Sequence, residues 1–174
     1  DTGATLGVDR DFRGAQDDVG IEVIRSQSGR ITQTTVTDGA AVDVSTYSFD
    51  TAGRLVDALL EAPGWSHELS YAFAASGGCG ANPKAGMNGN RTGYTDVFDD
   101  GVTVTTTSVA YCYDNADRLT GSTVTGAPTG ASALYGGNLS LVGPLPSLKY
   151  DEHGNTTRLA DQAFGYDAGN RHMT

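Results

Sequence analysis

One phrase returns along this chain, and its recurrence constrains the fold more than any total does. It reads YSFDTAGRLVD at 47–57, YCYDNADRLTG at 111–121, LKYDEHGNTTR at 148–158 and FGYDAGNRHMT at 164–174. A catalytic motif is normally written once, whereas a phrase written several times describes architecture. Aligned on aspartate, the copies place Asp50, Asp114, Asp151 and Asp167 first and Gly53, Asp117, Gly154 and Asn170 three residues later. Gly, Asn and Asp tolerate a left-handed backbone best. Aspartate favours the first position of a type I turn, where its side chain bonds to nearby backbone. Each copy therefore reads as strand, type I turn, left-handed residue and strand, a common longer hairpin loop.

Aromatic residues precede the turns at alternate positions: Tyr47 and Phe49, Tyr111 and Tyr113, then Tyr150 with Leu148, and Tyr166 with Phe164. Residues two apart share one face of a strand. The prediction is rows of rings across neighbouring strands, each pair adding about 0.2–1 kcal/mol. The fourth position after aspartate holds Arg54, Arg118, Asn155 and Arg171. We read the aspartate as capping its turn and the arginine as covering aromatic surface, in preference to an ion pair or a catalytic pair. A weaker copy at 23–36 puts Ser26, Gly29 and Arg30 in the aspartate, +3 and +4 positions. An interrupted copy begins at Tyr71 and Phe73, passes through a loop rich in Gly, Ala and Asn, and resumes with Asn90 and Arg91 at +3 and +4.

The copies are unevenly spaced, so the pattern is a long antiparallel sheet with hairpins of varied length and not a solenoid of identical rungs. Asp38-Gly39 and Asp100-Gly101 mark further hairpins. Leu55, Leu59 and Leu60 have spacing that a helix could use, but Pro63-Gly64 stops the segment quickly, and strand is preferred. Residues 126–147 show no periodicity and read as a long connection with at most a turn of helix. The 174 residues make one domain, 1–174, the expectation, with 1–22 its least defined part. The opening DTGATLGVDRDFRG reads as the middle of a longer chain.

A formal net charge of −10 argues against nucleic acid and against an anionic membrane surface. No segment approaches the roughly 20 apolar residues of a membrane helix. The two cysteines, Cys79 and Cys112, pair in an oxidising compartment. That bond would place the inserted loop on the sheet face opposite the Tyr111 and Tyr113 rings.

No metal or cofactor motif and no GxSxG, HExxH or P-loop pattern is present. His67, His153 and His172 read as solvated or structural. Ser66, His67 and Glu68 are adjacent in a strand, alternate faces and so cannot relay protons among themselves. Asp9, Asp11, Asp17 and Asp18 lack the ordered ligands of an EF-hand and read as a solvated acidic surface. Trp65, the single tryptophan, is the candidate ligand-binding residue, since exposed indoles stack on the apolar faces of sugars.

The phrases YSFDTAGRL, YCYDNADRL, YDEHGNTTRL and YDAGNRHMT resemble the YD repeats of bacterial RHS proteins, toxin-complex B and C components and teneurins, named for the Tyr-Asp pair. The resemblance covers roughly residues 23–174. Asp117 and Asn170 depart from it by replacing the turn glycine. The family's self-cleavage stretch has no match here, so autoproteolysis is not carried over. The resemblance implies an all-β, antiparallel, strongly coiled sheet of YD hairpins, an arc of a larger β-shell. It implies a non-enzymatic structural segment of a secreted or cell-surface protein, enclosing a passenger or toxin segment or displaying a surface. The partners implied are the rest of the parent polypeptide and, for an adhesive alternative, a glycan or cell-surface receptor. Exposed strand edges add a tendency to pair edge to edge unless loops such as 126–147 cover them.

Overall fold

The computed structural model describes residues 5–10 as backbone and residues 19–173 in full, so Asp11, Asp17, Asp18 and the side chain of Asp9 lie outside the described part. The chain is all-β, as its turn chemistry predicts. Its strands are β1 (Thr5–Arg10), β2 (Val19–Arg25), β3 (Ile31–Asp38), β4 (Ala41–Phe49), β5 (Leu55–Ala62) and β6 (Trp65–Ala72). Then come β7 (Cys79–Gly80), β8 (Gly93–Asp99), β9 (Val104–Tyr113) and β10 (Leu119–Thr125). Five short strands close the chain: β11 (Leu148–Tyr150), β12 (Thr156–Leu159), β13 (Gln162–Ala163), β14 (Gly165–Tyr166) and β15 (His172–Met173). A 3-10 turn spans Ala85–Asn88, and one helical turn, α1, spans Ala133–Gly136.

Two compact units divide these residues. The first holds residues up to Tyr71 and the Thr95–Thr106 hairpin. Its strands run as an antiparallel meander in the order β1-β2-β3-β4-β5-β6, continuing into β8. Leu55–Ala62 is a strand, and the Pro63-Gly64 pair turns it directly into β6, with Ala62 opposite Trp65. Gly64 has a φ of 89°, which a β-carbon would disfavour. The β3–β4 loop is Gly39 and Ala40, with Asp38 and Ala41 still paired. The Asp-Gly signal is thus shifted by one residue, and only its glycine sits in the turn with positive φ, at 57°. The β8–β9 loop is longer. The Asp100 carboxylate caps it by accepting from the backbone N–H groups of Val102 and Thr103 at 2.9 and 2.7 Å.

The second unit contains Ala72–Tyr94 and Thr107–Thr174. The antiparallel pair β9–β10 leads into the 126–147 connection, in which Ser132 caps α1 by accepting from Tyr135 N–H. This connection lies along the outer edge of β10. Ser122 N–H donates to Leu139 C=O at 3.0 Å, Val124 N–H donates to Asn138 Oδ1 at 2.7 Å, and Gly121 bridges Ser140. The outward N–H groups of Ser122 and Val124 on that edge are thereby satisfied within the chain. Few side chains are fully buried; Leu148, Ala85, Ala160, Val109 and Leu139 form the apolar interior of this unit. Strand ladders and local clasps therefore carry much of the organisation here.

Candidate functional site: the clasp between repeats

The turn is the same five times. The N–H of Ser26, Asp50, Asp114, Asp151 and Asp167 donates to the carbonyl four residues on, at 2.8–3.0 Å, for example Asp114 to Arg118 at 2.9 Å. The N–H at +3 donates back to the first carbonyl, as from Gly53 to Asp50 at 2.9 Å. The +3 residues Gly29, Gly53, Asp117, Gly154 and Asn170 have φ of 82°, 82°, 60°, 87° and 59°. Register shifts fall next to the Ser26, Asp50, Asp114 and Asp151 turns, the extra residue that a left-handed position introduces.

Each aspartate grips its own turn with both oxygens. Oδ1 of Asp50, Asp114, Asp151 and Asp167 accepts the +4 backbone N–H at 2.8–3.0 Å. Oδ2 accepts the +4 side chain: Arg54 Nε at 2.7 Å, Arg118 Nε at 2.8 Å, Asn155 Nδ2 at 2.9 Å and Arg171 Nε at 2.8 Å. The expectation that arginine would forgo an ion pair is corrected: Arg54, Arg118 and Arg171 all pair with their aspartates. One guanidinium serves both ends, because its planar fork bonds the carboxylate along an edge and leaves a face for a ring. Arg118 sits 5.7 Å from the Tyr150 ring centroid while still paired to Asp114.

These hydrogen bonds favour the charged carboxylate. The Arg54 N–H, then its side chain, holds Asp50 below its ordinary value of 3.8. The same order lowers Asp167 through Arg171. The Arg118 N–H is the largest influence lowering Asp114, and the Asn155 amide lowers Asp151 first. A carboxyl with a depressed folded-state pKa contributes stability that is complete above its unfolded value. That contribution is lost as pH falls through the folded value. Stability is therefore expected to be insensitive to these groups from pH 7 to about 5 and to drop below about pH 4. Urea unfolding across that range checks this, and replacing all four aspartates by asparagine should flatten the acid limb.

The clasps also link one copy to the next. Arg30 lies 5.5 Å from the Phe49 ring, and Arg91 lies 5.9 Å from that of Tyr111. Arginine thus enters the predicted aromatic rows, alongside ring contacts such as Tyr94 with Tyr111 at 6.3 Å. The tyrosine directly before Asp114, Asp151 and Asp167 has a second task. Its hydroxyl donates to a carbonyl of the preceding copy: Tyr113 to Arg91 at 2.8 Å, Tyr150 to Leu119 at 2.9 Å and Tyr166 to Thr156 at 3.1 Å. Burial raises the Tyr113 and Tyr150 pKa values, so the hydroxyls stay protonated donors at neutral pH. At Phe49 the hydroxyl is missing. Tyr47 has only a long 3.5 Å contact between its hydroxyl and Thr34 Oγ1. Tyr150→Phe should cost about 1 kcal/mol, with the Leu119 carbonyl left unpaired; chemical denaturation measures it.

The interrupted copy departs from the rule. Asn90 does not take the left-handed position; Gly89, ending the 3-10 turn, does, with φ 88°. Cys79 and Cys112 form a disulfide, with Cα atoms 4.6 Å apart. The bond does not carry the loop onto the face opposite the rings. Cys79 and Gly80 pair edge-on and parallel with Cys112 and Tyr113 of β9, and Asn82 N–H donates to Tyr113 C=O at 3.0 Å. A β-carbon on Gly80 would run into the Tyr113 backbone, which explains the glycine beside the cysteine. Asp117 anchors the same loop, accepting from Asn82 Nδ2 at 2.8 Å and from Asn88 Nδ2 at 2.9 and 3.1 Å.

The first unit holds the other candidate. Trp65, beside the Pro63-Gly64 turn, is 41 % exposed. Its ring meets His67 edge-on at 5.6 Å, and His67 packs on Phe98 at 4.6 Å. His67 Nδ1 is 2.8 Å from Oδ1 of the buried Asp96. The sequence reading missed this pair, because it lies across β6 and β8 and depends on a register no local pattern reveals. His153 occupies the Asp151 turn, where its N–H donates to Oδ1, and His172 lies between Phe164 and Tyr166. No group of three or more potential metal ligands occurs among the described residues, and none of the described helices is long and apolar enough to cross a membrane. No protein-family model matches the chain, and no curated protein is significantly similar to it.

Proposed function

We propose that this chain is a structural, non-catalytic segment of YD-repeat type in a secreted or cell-surface protein, contributing to a β-shell that encloses a passenger or displays a surface. The observation that carries this reading is the clasp itself. The same aspartate grip recurs with only small variations, and the aromatic side chains serve the sheet. The Cys79–Cys112 bond supports an oxidising setting. The partner is then the remainder of the parent polypeptide. Among the described residues β1 is hydrogen-bonded only to β2, so its outer edge is where a neighbouring strand or a second copy would add. Limited proteolysis of the parent polypeptide tests the encapsulation: the passenger should resist digestion until the sheet is denatured. A passenger digested while these strands remain intact would overturn it.

A glycan-binding reading is the alternative, favoured by the exposure of Trp65 beside the polar His67–Asp96 pair. A sugar ring stacking on the indole would change Trp65 fluorescence, and that response should vanish in Trp65→Ala. A flat titration across neutral oligosaccharides removes this alternative.

A further inference from the structure

The second unit contains a partly open cavity of about 180 Å³. One wall comes from the sheet, with Tyr94, Val109, Tyr111 and Val124, and the other from the connection, with Leu134 and Leu139. We propose that this cavity binds a small, neutral, monocyclic aromatic molecule of phenol size, with the Tyr111 hydroxyl meeting its polar substituent.

Volume is the first argument. An apolar cavity of roughly 150 Å³ is known to accept benzene, so the space here suits one substituted ring and not a fused system. The lining side chains themselves carry no charge, and the Arg91 guanidinium beyond them is stacked on the Tyr94 and Tyr111 rings, at 5.7 and 5.9 Å from their centroids. The aromatic walls favour a ring over an alkyl chain. Tyr94 and Tyr111 are tilted 34° to one another at 6.3 Å, and a third ring edge or face adds attraction beyond area.

Preformation is the second argument. The connection is fastened to β10 through reciprocal bonds between Ser122 and Leu139 and by Val124 N–H to Asn138 Oδ1. The cavity therefore cannot close by a simple slide of this wall. Leu134, 45 % exposed, stands at its rim.

Tyr111 is the third. Tyr113, Tyr150 and Tyr166 each spend their hydroxyl on a carbonyl. The Tyr111 hydroxyl makes no hydrogen bond among the described residues, although the side chain is half-buried. Among the lining residues that also carry polar groups, Ser122 and Tyr135 included, Tyr111 is the one that stands in an aromatic row of the repeat with its hydroxyl unused by the clasp.

Thermal unfolding of the oxidised chain with phenol and with toluene tests the proposal. Both should raise the melting temperature in a saturable way, with dissociation constants on the order of a millimolar. Tyr111→Phe, which removes no described hydrogen bond, should weaken phenol by about 2- to 10-fold and leave toluene unchanged. Leu134→Trp, at an exposed position, should abolish both responses while the unliganded protein unfolds as before. No shift with either molecule, or equal shifts in Leu134→Trp, would make the cavity a packing void and overturn the proposal. Equal phenol affinity in Tyr111→Phe would overturn the role of the hydroxyl.

Discussion

Replacing Cys79 and Cys112 together by serine lowers the unfolding free energy by about 3–4 kcal/mol in the chain-entropy model. The bond closes a separation of 33 residues, so its removal restores considerable freedom to the unfolded chain. The native state also loses its tether to a loop that β7 holds through only two residue pairs. Part of the effect is therefore local: proteases should cut between Ala74 and Asn90 in the serine variant before the strands open. Denaturant unfolding of the oxidised and doubly substituted chains measures the total, and mass spectrometry of early digests locates the first cuts. A change below about 1 kcal/mol would mean that the reduced loop already keeps its place.

Asp117→Gly destabilises the protein, although it restores the glycine that the repeat pattern prefers. Removing a side chain from a left-handed position relieves about 1 kcal/mol. The Asp117 carboxylate, however, accepts from both Asn82 and Asn88. Charge-assisted bonds are worth about 1.5–3 kcal/mol each when well shielded and less at a partly exposed site. The net loss should be about 1–2 kcal/mol. Asn170→Gly is the control. Asn170 accepts one neutral bond, from Asn155 Nδ2 at 3.0 Å, so relief and loss nearly cancel. Asp117 and the disulfide restrain the same loop, so the cost of Asp117→Gly should shrink in the serine variant. Equal effects of Asp117→Gly and Asn170→Gly would show that the loop contacts contribute nothing.

The turns were legible because everything that makes them lies within five residues. An aspartate, a left-handed residue at +3 and a donor at +4 are local chemistry, so Asp50, Asp114, Asp151 and Asp167 could be aligned without any register. The strand at 55–62 followed from the Pro63-Gly64 stop. What the sequence hid depends on pairing across distance. Tyr150 reaches a carbonyl 31 residues away and Tyr113 one 22 residues away. His67 meets Asp96 across 29 residues. The donating tyrosines share one local position, directly before the aspartate, but the carbonyl each reaches lies in the preceding copy and could not be read from the phrase. The inserted loop misled the reading for a related reason. A 3-10 turn ending at Gly89 absorbed the reversal, and Asn90 was freed from the role its spacing implied.

The clasps between copies have a direction, and it matches the direction of synthesis. Arg30 waits for Phe49, Arg91 for Tyr111 and Arg118 for Tyr150; the carbonyls of Leu119 and Thr156 wait for Tyr150 and Tyr166. In every case the earlier residue belongs to a hairpin turn or its flank, and the later one supplies the ring or hydroxyl that closes the contact. A nascent chain leaving the ribosome could therefore lock each hairpin onto its predecessor as soon as the next aromatic strand emerges. Growth of the sheet would be vectorial, one ratchet step per repeat.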